Sequence, residues 1–271
     1  YLPGITDVQG TRLMEGKEIG DMSNDELRTI WGNRIAMVYQ DPATALNPTM
    51  RVGSQIAELI QHHMKVSKSD AYKRTVELFT SVKLADPENI GKRYPHELSG
   101  GQQQRAIIAM ALACEPDLLI MDEPTTGLDV TTEATILDLV VDLKTRINAG
   151  ILYVSHNLGV IARVADRVIV MYAGETIEEA KVRELFKNPR HPYTLGLLHS
   201  VPRLDQPRMK RLKPIDGQPP DLTKLDNGCS FRPRCSFLID KCENHYPALE
   251  QVTSGHITAC WEREKLIQDH R

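Results

Sequence analysis

Residues 118–124 read LLIMDEP, a short apolar run that ends in two acids and a proline. Such a run, bounded by polar residues, is typical of a buried strand. Similar runs occur at 35–39 (IAMVY) and 151–154 (ILYV), while 131–148 has the length and apolar spacing of a helix. Strand, helix and strand within about forty residues predict a parallel α/β unit.

The rest of the chain predicts helices, a further strand and, after residue 188, a proline-rich stretch. Residues 52–84 carry apolar side chains at helical spacing, and 168–172 predict a strand before a turn at Ala173-Gly174. Gly150 stands where the end of a helix favours glycine. Frequent prolines after residue 188 indicate a boundary and a linker.

Composition limits the classes of function. The chain has 271 residues, of which 41% are hydrophobic, enough for a substantial core. Its 33 basic residues against 36 acidic ones give no basic footprint for nucleic acid. No apolar run approaches the roughly 20 residues that span a bilayer, and no secretory signal is present, so we expect a soluble, intracellular protein. Because the first residue is Tyr1, we expect the sequence to begin inside a longer reading frame.

Polar side chains follow the predicted parallel strands, where an open sheet binds its ligands. Asp122 is suited to hold Mg²⁺, because a hard cation prefers carboxylate oxygen. Glu123 is placed to polarise an attacking water, His156 to contact a γ-phosphate, and Gln40 to sense the metal or the water. Each of these residues alone could have a purely structural role, as the start of a loop or as a hydrogen-bonded polar group. As an ordered set, they suit phosphoryl transfer.

Residues 98–105 read LSGGQQQR and predict a phosphate-binding helix start. Ser99 and Gln102 fit a capping box, and two glycines leave the amides of the first turn open to an anion. The phosphate loop GxxxxGK followed by Ser or Thr is absent from all 271 residues. The sequence therefore contains a predicted phosphate-binding helix start but lacks the phosphate loop that nucleotide-binding proteins usually have.

In this order the motifs resemble the ATP-binding subunit of an ABC transporter. The resemblance covers most of residues 30–175 and rests on five motifs: a Q-loop at Gln40, the signature at 98–105, a Walker B run at 118–124, a D-loop at 127–129 and a switch His156. More narrowly, QDPATALNP at 40–48, HPYTLGLL at 191–198 and the cysteine-rich tail resemble the oligopeptide and dipeptide importer subfamily.

The resemblance implies an ABC-type P-loop NTPase core with a mostly parallel sheet, an inserted helical subdomain and a Cys-rich C-terminal extension. The implied domains are 1–45 (N-terminal part of the core), 46–116 (helical subdomain with the signature), 117–188 (C-terminal part of the core) and 189–271 (proline-rich linker and Cys-rich extension). Residues 1–34 look like the segment that follows the phosphate loop, which would lie upstream of Tyr1. We therefore expect negligible ATP hydrolysis by this polypeptide alone.

The resemblance also implies the site and its cofactors, ATP and Mg²⁺. In this family two nucleotide-binding domains meet head to tail, and each signature caps the nucleotide of its partner. The implied nucleotide-binding residues are Gln40, Ser99, Gly100, Gly101, Gln102 and Asp129. Glu123 and His156 are implied to be catalytic, and Asp122 with Gln40 to hold Mg²⁺.

The function implied is the coupling of ATP hydrolysis to peptide import. The implied partners are a second ABC ATPase subunit, identical or paralogous, transmembrane permease subunits and, indirectly, an extracytoplasmic solute-binding protein. The chain would lie peripherally on the cytoplasmic face of the cell membrane. Two alternatives stay open: a subunit for nickel or another solute, and a non-transport ABC protein whose cysteines sense redox state.

Four cysteines crowd into the C-terminal part of the chain: Cys229, Cys235, Cys242 and Cys260. An intracellular setting favours a metal site over disulfides. The tight C-x₂₋₄-C pairs of structural zinc sites are absent, and four thiolates on irregular loops can also hold an iron–sulfur cluster. The subfamily resemblance favours a [4Fe–4S] cluster, with zinc second and unligated cysteines third. His245 and His256 are expected to face solvent or to cap.

Overall fold

The structure is a computed structural model that describes residues 9–201 and 214–266. The part of the predicted linker at 202–213 lies outside these residues. The chain divides into two compact units, residues 1–154 and 155–271. That division falls within the predicted segment 117–188, and the four domain boundaries stay predictions.

The described residues form the following strands and helices. The strands are β1 (Leu13–Met14), β2 (Lys17–Glu18), β3 (Ile35–Val38), β4 (Leu118–Asp122), β5 (Gly150–Val154), β6 (Arg167–Tyr172), β7 (Glu175–Lys181), β8 (Glu250–Thr253) and β9 (His256–Thr258). The helices are α1 (Asn24–Ile30), α2 (Pro42–Ala45), α3 (Val52–Met64), α4 (Lys68–Ser81), α5 (Pro87–Gly91), α6 (Gly100–Ala111), α7 (Val130–Arg146), α8 (Leu158–Val164), α9 (Val182–Lys187), α10 (Pro192–His199) and α11 (Lys241–Asn244).

The first unit contains the predicted parallel sheet. Its strands lie in the order β3-β4-β5, and both pairs are parallel. Val38 lies opposite Met121, and Met121 opposite Tyr153, so the three strands end at nearly the same level. The parallel α/β unit predicted from the sequence is therefore confirmed.

The first unit also contains a group of four helices, α3 to α6, that pack against one another. The predicted helical segment 52–84 is two helices, because Lys65 adopts a left-handed conformation at the end of α3 and Ser67 caps α4. Where α3 meets α5 the backbones nearly touch, since a Cβ atom on Gly53 would lie 2.8 Å from the carbonyl oxygen of Gly91. Phe79 of α4 is fully buried.

The second unit is built on an antiparallel sheet in the order β6-β7-β9-β8. The predicted turn at 173–174 joins β6 to β7, and both of its residues have positive φ, at 52° and 84°. Such a pair is typical of the tight turns that suit a twisted hairpin. Strand β9, from the cysteine-rich part of the chain, pairs with β7 and places Thr258 opposite Glu178.

One local prediction is wrong. Gly150 does not follow a helix end, because α7 already ends at Arg146 and Ile147 is extended. Gly150 instead opens β5, where its N–H donates to the carbonyl oxygen of Asp117 at 2.8 Å. Sheet pairing thus decides the conformation of Gly150. In the described part of the chain, no helix combines the length and apolarity needed to cross a bilayer.

Candidate nucleotide site and cysteine cavity

Gln40 and Glu123 meet where β3 and β4 end. The Nε2 group of Gln40 donates a hydrogen bond to Oε2 of Glu123 at 3.1 Å, and the hydroxyl of Thr126 donates to the same oxygen at 2.9 Å. Asp122, the last residue of β4, is half-buried beside them in the chain. The parallel pairing thus brings together side chains that are 83 positions apart.

The backbone of Glu123 is strained, and its conformation is fixed by the sheet. Its φ angle of 42° lies in the left-handed region, which is uncommon for a residue with a side chain. Its N–H donates to the carbonyl oxygen of Val154 at 3.0 Å, across from β5. Strain of this kind clusters at functional sites, because it persists only where surrounding contacts hold it.

The start of α6 forms the capping box predicted from the sequence. The Ser99 hydroxyl accepts from the N–H of Gln102 at 3.4 Å, and the Ser99 N–H donates to Oε1 of Gln102 at 3.0 Å. Ser99 and Gly100 are exposed. The helix therefore begins at the glycines and presents its first amides, at the positive end of its dipole, to the surface.

Gly101 lies against α7 with no room for a side chain. A Cβ atom there would lie 2.5 Å from Cγ2 of Thr132, whereas one on Gly100 would meet Cδ2 of Leu128 at an ordinary 3.6 Å. The two glycines therefore differ: the first leaves the helix start open, and the second permits close packing.

Asp129 has a local role as the cap of α7. Its carboxylate accepts from the N–H groups of Thr131 and Thr132 at 3.1 and 3.0 Å. Hydrogen bonds from the side chain and backbone of Thr132 hold the pKa of Asp129 below its usual value. Asp129 is exposed, and its assignment to nucleotide binding stays a prediction.

His156 belongs to the second unit and follows β5 by two residues. It is exposed and precedes Asn157, which caps α8 by accepting from the N–H groups of Gly159 and Val160. The predicted place after a strand is therefore confirmed, and the predicted contact with a γ-phosphate stays a prediction.

The second unit also brings the four clustered cysteines to one cavity. Its lining includes Cys229, Cys235, Cys242 and Cys260, together with Phe231, Trp261 and His191. Cys235 is half-buried, the other three are buried, and all four are free thiols. The cavity volume of about 10 Å³ is near the lower limit for one water molecule, so a larger group would move the side chains around it.

Local contacts shape the loops that carry these cysteines. The Cys229 N–H donates to the Cys242 carbonyl oxygen at 2.8 Å. The Arg232 guanidinium binds both carboxylate oxygens of Asp226, at 2.9 and 2.6 Å. At Gly228 a Cβ atom would lie 2.4 Å from the Glu243 carbonyl oxygen, so only glycine fits there.

Backbone N–H groups that follow three of the four cysteines in the chain favour their thiolate forms. Phe231 and Arg232 do so for Cys229, Phe237 for Cys235 and Glu262 for Cys260. Burial outweighs this effect and raises the pKa of Cys235 to about 11 and that of Cys260 to about 12. Backbone donors of this kind stabilise thiolate ligands when a metal is bound.

The donor set fits a soft metal or an iron–sulfur cluster in kind, because it offers four sulfurs with surrounding N–H donors. As the side chains stand, no group of three or more His, Cys, Asp or Glu within 9–201 and 214–266 is arranged to hold a metal ion. Ligation would therefore require the thiols to turn.

A buried carboxylate that the sequence analysis missed organises this region. Glu178 is fully buried and accepts from the N–H groups of Arg190 and His191 at 2.6 and 3.1 Å, while Nε2 of His256 lies 2.8 Å from its Oε1. The expectation that His256 faces solvent or caps a helix is wrong, because its pairing with Glu178 buries it. His245 is exposed, as expected.

His191 connects this network to the cavity. Its Nδ1 accepts the N–H of Tyr193 at 3.1 Å and thereby caps α10. Burial lowers the pKa of His191 to about 3, so its imidazole is neutral at physiological pH.

Comparison with known proteins agrees with these features. Models of two families match: ABC transporter over residues 3–126, and the C-terminal region of oligopeptide/dipeptide transporters over 177–242. A probable peptide ABC transporter ATP-binding protein of Sinorhizobium fredii, y4tR, is 47% identical over 96% of this chain and 78% of its own. The oligopeptide transport ATP-binding protein OppD of Salmonella typhimurium is 45% identical over 94% and 76%.

A solved structure extends the likeness to the fold. The dimeric, post-hydrolysis state of the ATP-binding cassette MJ0796, bound to ADP and Pi, superimposes with a TM-score of 0.56 at 28% identity, over 63% of this chain and 72% of that one. The chain therefore belongs to the ATP-binding proteins of ABC transporters, a family of ATPases that work with ATP and Mg²⁺. Its C-terminal region is that of the oligopeptide/dipeptide transporters.

The contact between Gly101 and Thr132 gives a stability prediction. We expect Gly101→Ala to lower the free energy of unfolding by about 1–3 kcal/mol, because the added methyl overlaps Cγ2 of Thr132. Gly100→Ala should change it by less than about 0.5 kcal/mol, as at an unhindered surface position.

Urea denaturation of the two variants measures the difference. Adding Thr132→Ser to Gly101→Ala should restore stability, since it removes the overlapping methyl and keeps the hydroxyl. Equal effects at both glycines, or no rescue, would contradict the packing argument.

Proposed function

We propose that this chain is the ATP-binding and ATP-hydrolysing subunit that couples ATP hydrolysis to import of peptides across a membrane. The contact between Gln40 and Glu123 carries the proposal, because it joins two strand ends at the edge where a parallel sheet binds its ligands. The names of the relatives, which include peptide and oligopeptide transport proteins, support peptides as the solute. Nickel or another solute is the alternative.

The residues at the strand ends have complementary roles in this proposal. Asp122 holds Mg²⁺, directly or through water, with Gln40 as a second oxygen ligand. Glu123 polarises the attacking water, and His156 contacts the γ-phosphate and orients that water. Little covalent chemistry is asked of the protein, since positioning and charge stabilisation dominate phosphoryl transfer.

The open start of α6 serves a second subunit. In our proposal two ATP-binding chains, identical or paralogous, pair head to tail. The amides of Gly100 and Gly101, with Ser99 and Gln102 beside them, then cap the nucleotide held by the partner, and Asp129 lies at the same junction. The pair closes on ATP and opens after hydrolysis. Because the 271 residues contain no phosphate-loop motif, we expect negligible turnover from this polypeptide alone.

A groove beside α3 is the proposed contact with the permease. Its lining combines apolar and polar side chains: Ala45, Asn47, Met50, Gln55, Glu58, Leu59, His62 and Met110. Its volume of about 420 Å³ is large enough for several side chains of a protruding helix. A permease bound here would hold the chain peripherally at the cytoplasmic face of the membrane.

The four cysteines form the second proposed site, a [4Fe–4S] cluster within the Cys-rich extension. The convergence of the four cysteines, three buried and one half-buried, on one cavity supports it, as do the backbone N–H groups that favour the thiolate at three of them. When bound, the cluster would supply a one-electron couple or a structural crosslink. Cys229, Cys235, Cys242 and Cys260 would hold it, and zinc is the second choice.

Charge reversal in the groove tests the coupling. In the purified transporter reconstituted in vesicles, Glu58→Lys should abolish most ATP-dependent peptide uptake, because it reverses the one acidic side chain of the lining and opposes docking. Nucleotide binding should not change. Glu77→Lys, on the exposed face of α4, is the matched control and should leave uptake intact.

Uptake that is equal in Glu58→Lys and Glu77→Lys vesicles would contradict the groove as the coupling surface. Uptake of Ni²⁺ with no uptake of peptides by the unmodified transporter would contradict peptide as the solute.

Metal content tests the cysteine site. Protein prepared anaerobically should be brown, with broad absorption near ~400 nm, and should hold iron and sulfide. Serine at any of the four positions should lower the iron content, whereas Cys114→Ser, outside the cluster, should not. A colourless protein with stoichiometric zinc would contradict the cluster and favour zinc as the metal of this site.

A further inference from the structure

The carboxylate of Glu123 has a hydrogen-bond donor of its own in the turn that follows β4. The hydroxyl of Thr126 donates to Oε2 of Glu123 at 2.9 Å, and Nε2 of Gln40 donates to the same oxygen at 3.1 Å. The first donor stands three positions along the chain and the second stands 83 positions away. One carboxylate oxygen is therefore held by a local contact and by a contact between strands.

A closed turn places the hydroxyl of Thr126 beside this carboxylate. The N–H of Thr126 donates to the carbonyl oxygen of Glu123 at 3.1 Å, and Pro124 occupies the second position, where proline favours a turn. The third residue, Thr125, is buried, and its hydroxyl donates to Oε1 of Glu133 on α7 at 3.1 Å. The turn is thus anchored to α7 as well as to β4, and Thr126 has little freedom to leave the carboxylate.

The two donors differ in the other work assigned to them. Gln40 is also the proposed second ligand of Mg²⁺, so its amide has two duties. Thr126 has no proposed duty toward the metal or the nucleotide. A rotation of the Gln40 amide leaves the bond from Thr126 in place, because Thr126 and Glu123 belong to the same turn.

We propose that Thr126 is a positioning residue for ATP hydrolysis: its hydroxyl holds the carboxylate of Glu123 in place for the attacking water, whichever group the amide of Gln40 binds. This inference rests on the role proposed above for Glu123. Orientation of a catalytic group matters because a displacement of about 1 Å can cost about a hundredfold in rate. Thr126 acts through Glu123 and is not itself a catalytic residue.

Two substitutions separate the hydroxyl of Thr126 from its shape. Thr126→Val removes the hydroxyl and keeps the branched side chain, whereas Thr126→Ser keeps the hydroxyl and removes the methyl. Thr80→Val is the matched control, because Thr80 is likewise exposed and its hydroxyl donates within α4, to the carbonyl oxygen of Val76 at 2.9 Å.

The first measurement is single-turnover ATP hydrolysis by the full-length ATPase dimer purified with its permease subunits. We expect Thr126→Val to lower the rate about tenfold, as for the loss of one hydrogen bond to a charged group, with ATP affinity unchanged. Thr126→Ser and Thr80→Val should stay within about twofold of the unmodified rate. Added to Glu123→Gln, Thr126→Val should cost less than about twofold more, because the base that it positions is already lost.

The second measurement tests the hydrogen bond without nucleotide, by urea denaturation. Thr126→Val should lower the midpoint of unfolding when Glu123 is present and should leave it unchanged in Glu123→Ala protein, where the acceptor is gone. Equal shifts in the two backgrounds would mean that Thr126 does not act through Glu123, and they would overturn the proposal.

Failure of this proposal differs from failure of the role proposed for Glu123. If Glu123→Gln is slow while Thr126→Val hydrolyses ATP at the unmodified rate or faster, the role of Thr126 alone is overturned. A slow Thr126→Ser variant would also overturn it, since the hydroxyl is retained. If Glu123→Gln itself keeps the unmodified rate, both proposals fail.

Discussion

The parallel pairing of β4 with β3 and β5 is the constraint on which the nucleotide site depends. It ends three strands at one level, so that Gln40 and Glu123 meet just beyond them. The N–H of Glu123 is held by the Val154 carbonyl, and this bond helps keep a left-handed backbone that costs about 1–2 kcal/mol. The sheet therefore determines where the carboxylate of Glu123 lies. The loop that leads to α7 starts at this residue.

In the second unit a single buried carboxylate has a comparable organising role. Glu178 accepts hydrogen bonds from the N–H groups of Arg190 and His191, just before α10, and pairs with the ring of His256 on β9. Because Cys260 lies two residues after β9 and His191 lines the cavity, this network positions one side of the cysteine site. Removing an acceptor of this kind would leave several buried donors unpaired, which costs far more than an exposed hydrogen bond.

Features that depend on near neighbours could be predicted from the sequence. The three parallel strands appear as short apolar runs, and the capping box of Ser99 and Gln102 spans four residues. Glu178 could not be predicted, because a glutamate in a strand suggests an exposed side chain and its partners lie 12 to 78 positions away. The burial of His256 and the contact between Gly101 and Thr132 likewise depend on tertiary packing. The cysteine spacing indicated a shared site.

We propose that Glu123, fixed at the end of β4, activates the water that attacks ATP. The most direct test is single-turnover ATP hydrolysis by the full-length ATPase dimer purified with its permease subunits, comparing Glu123→Gln with the exposed control Glu77→Gln. We expect a loss of about a hundredfold or more for Glu123→Gln, with ATP binding retained and the control unchanged. A Glu123→Gln rate within about twofold of the unmodified transporter would contradict it.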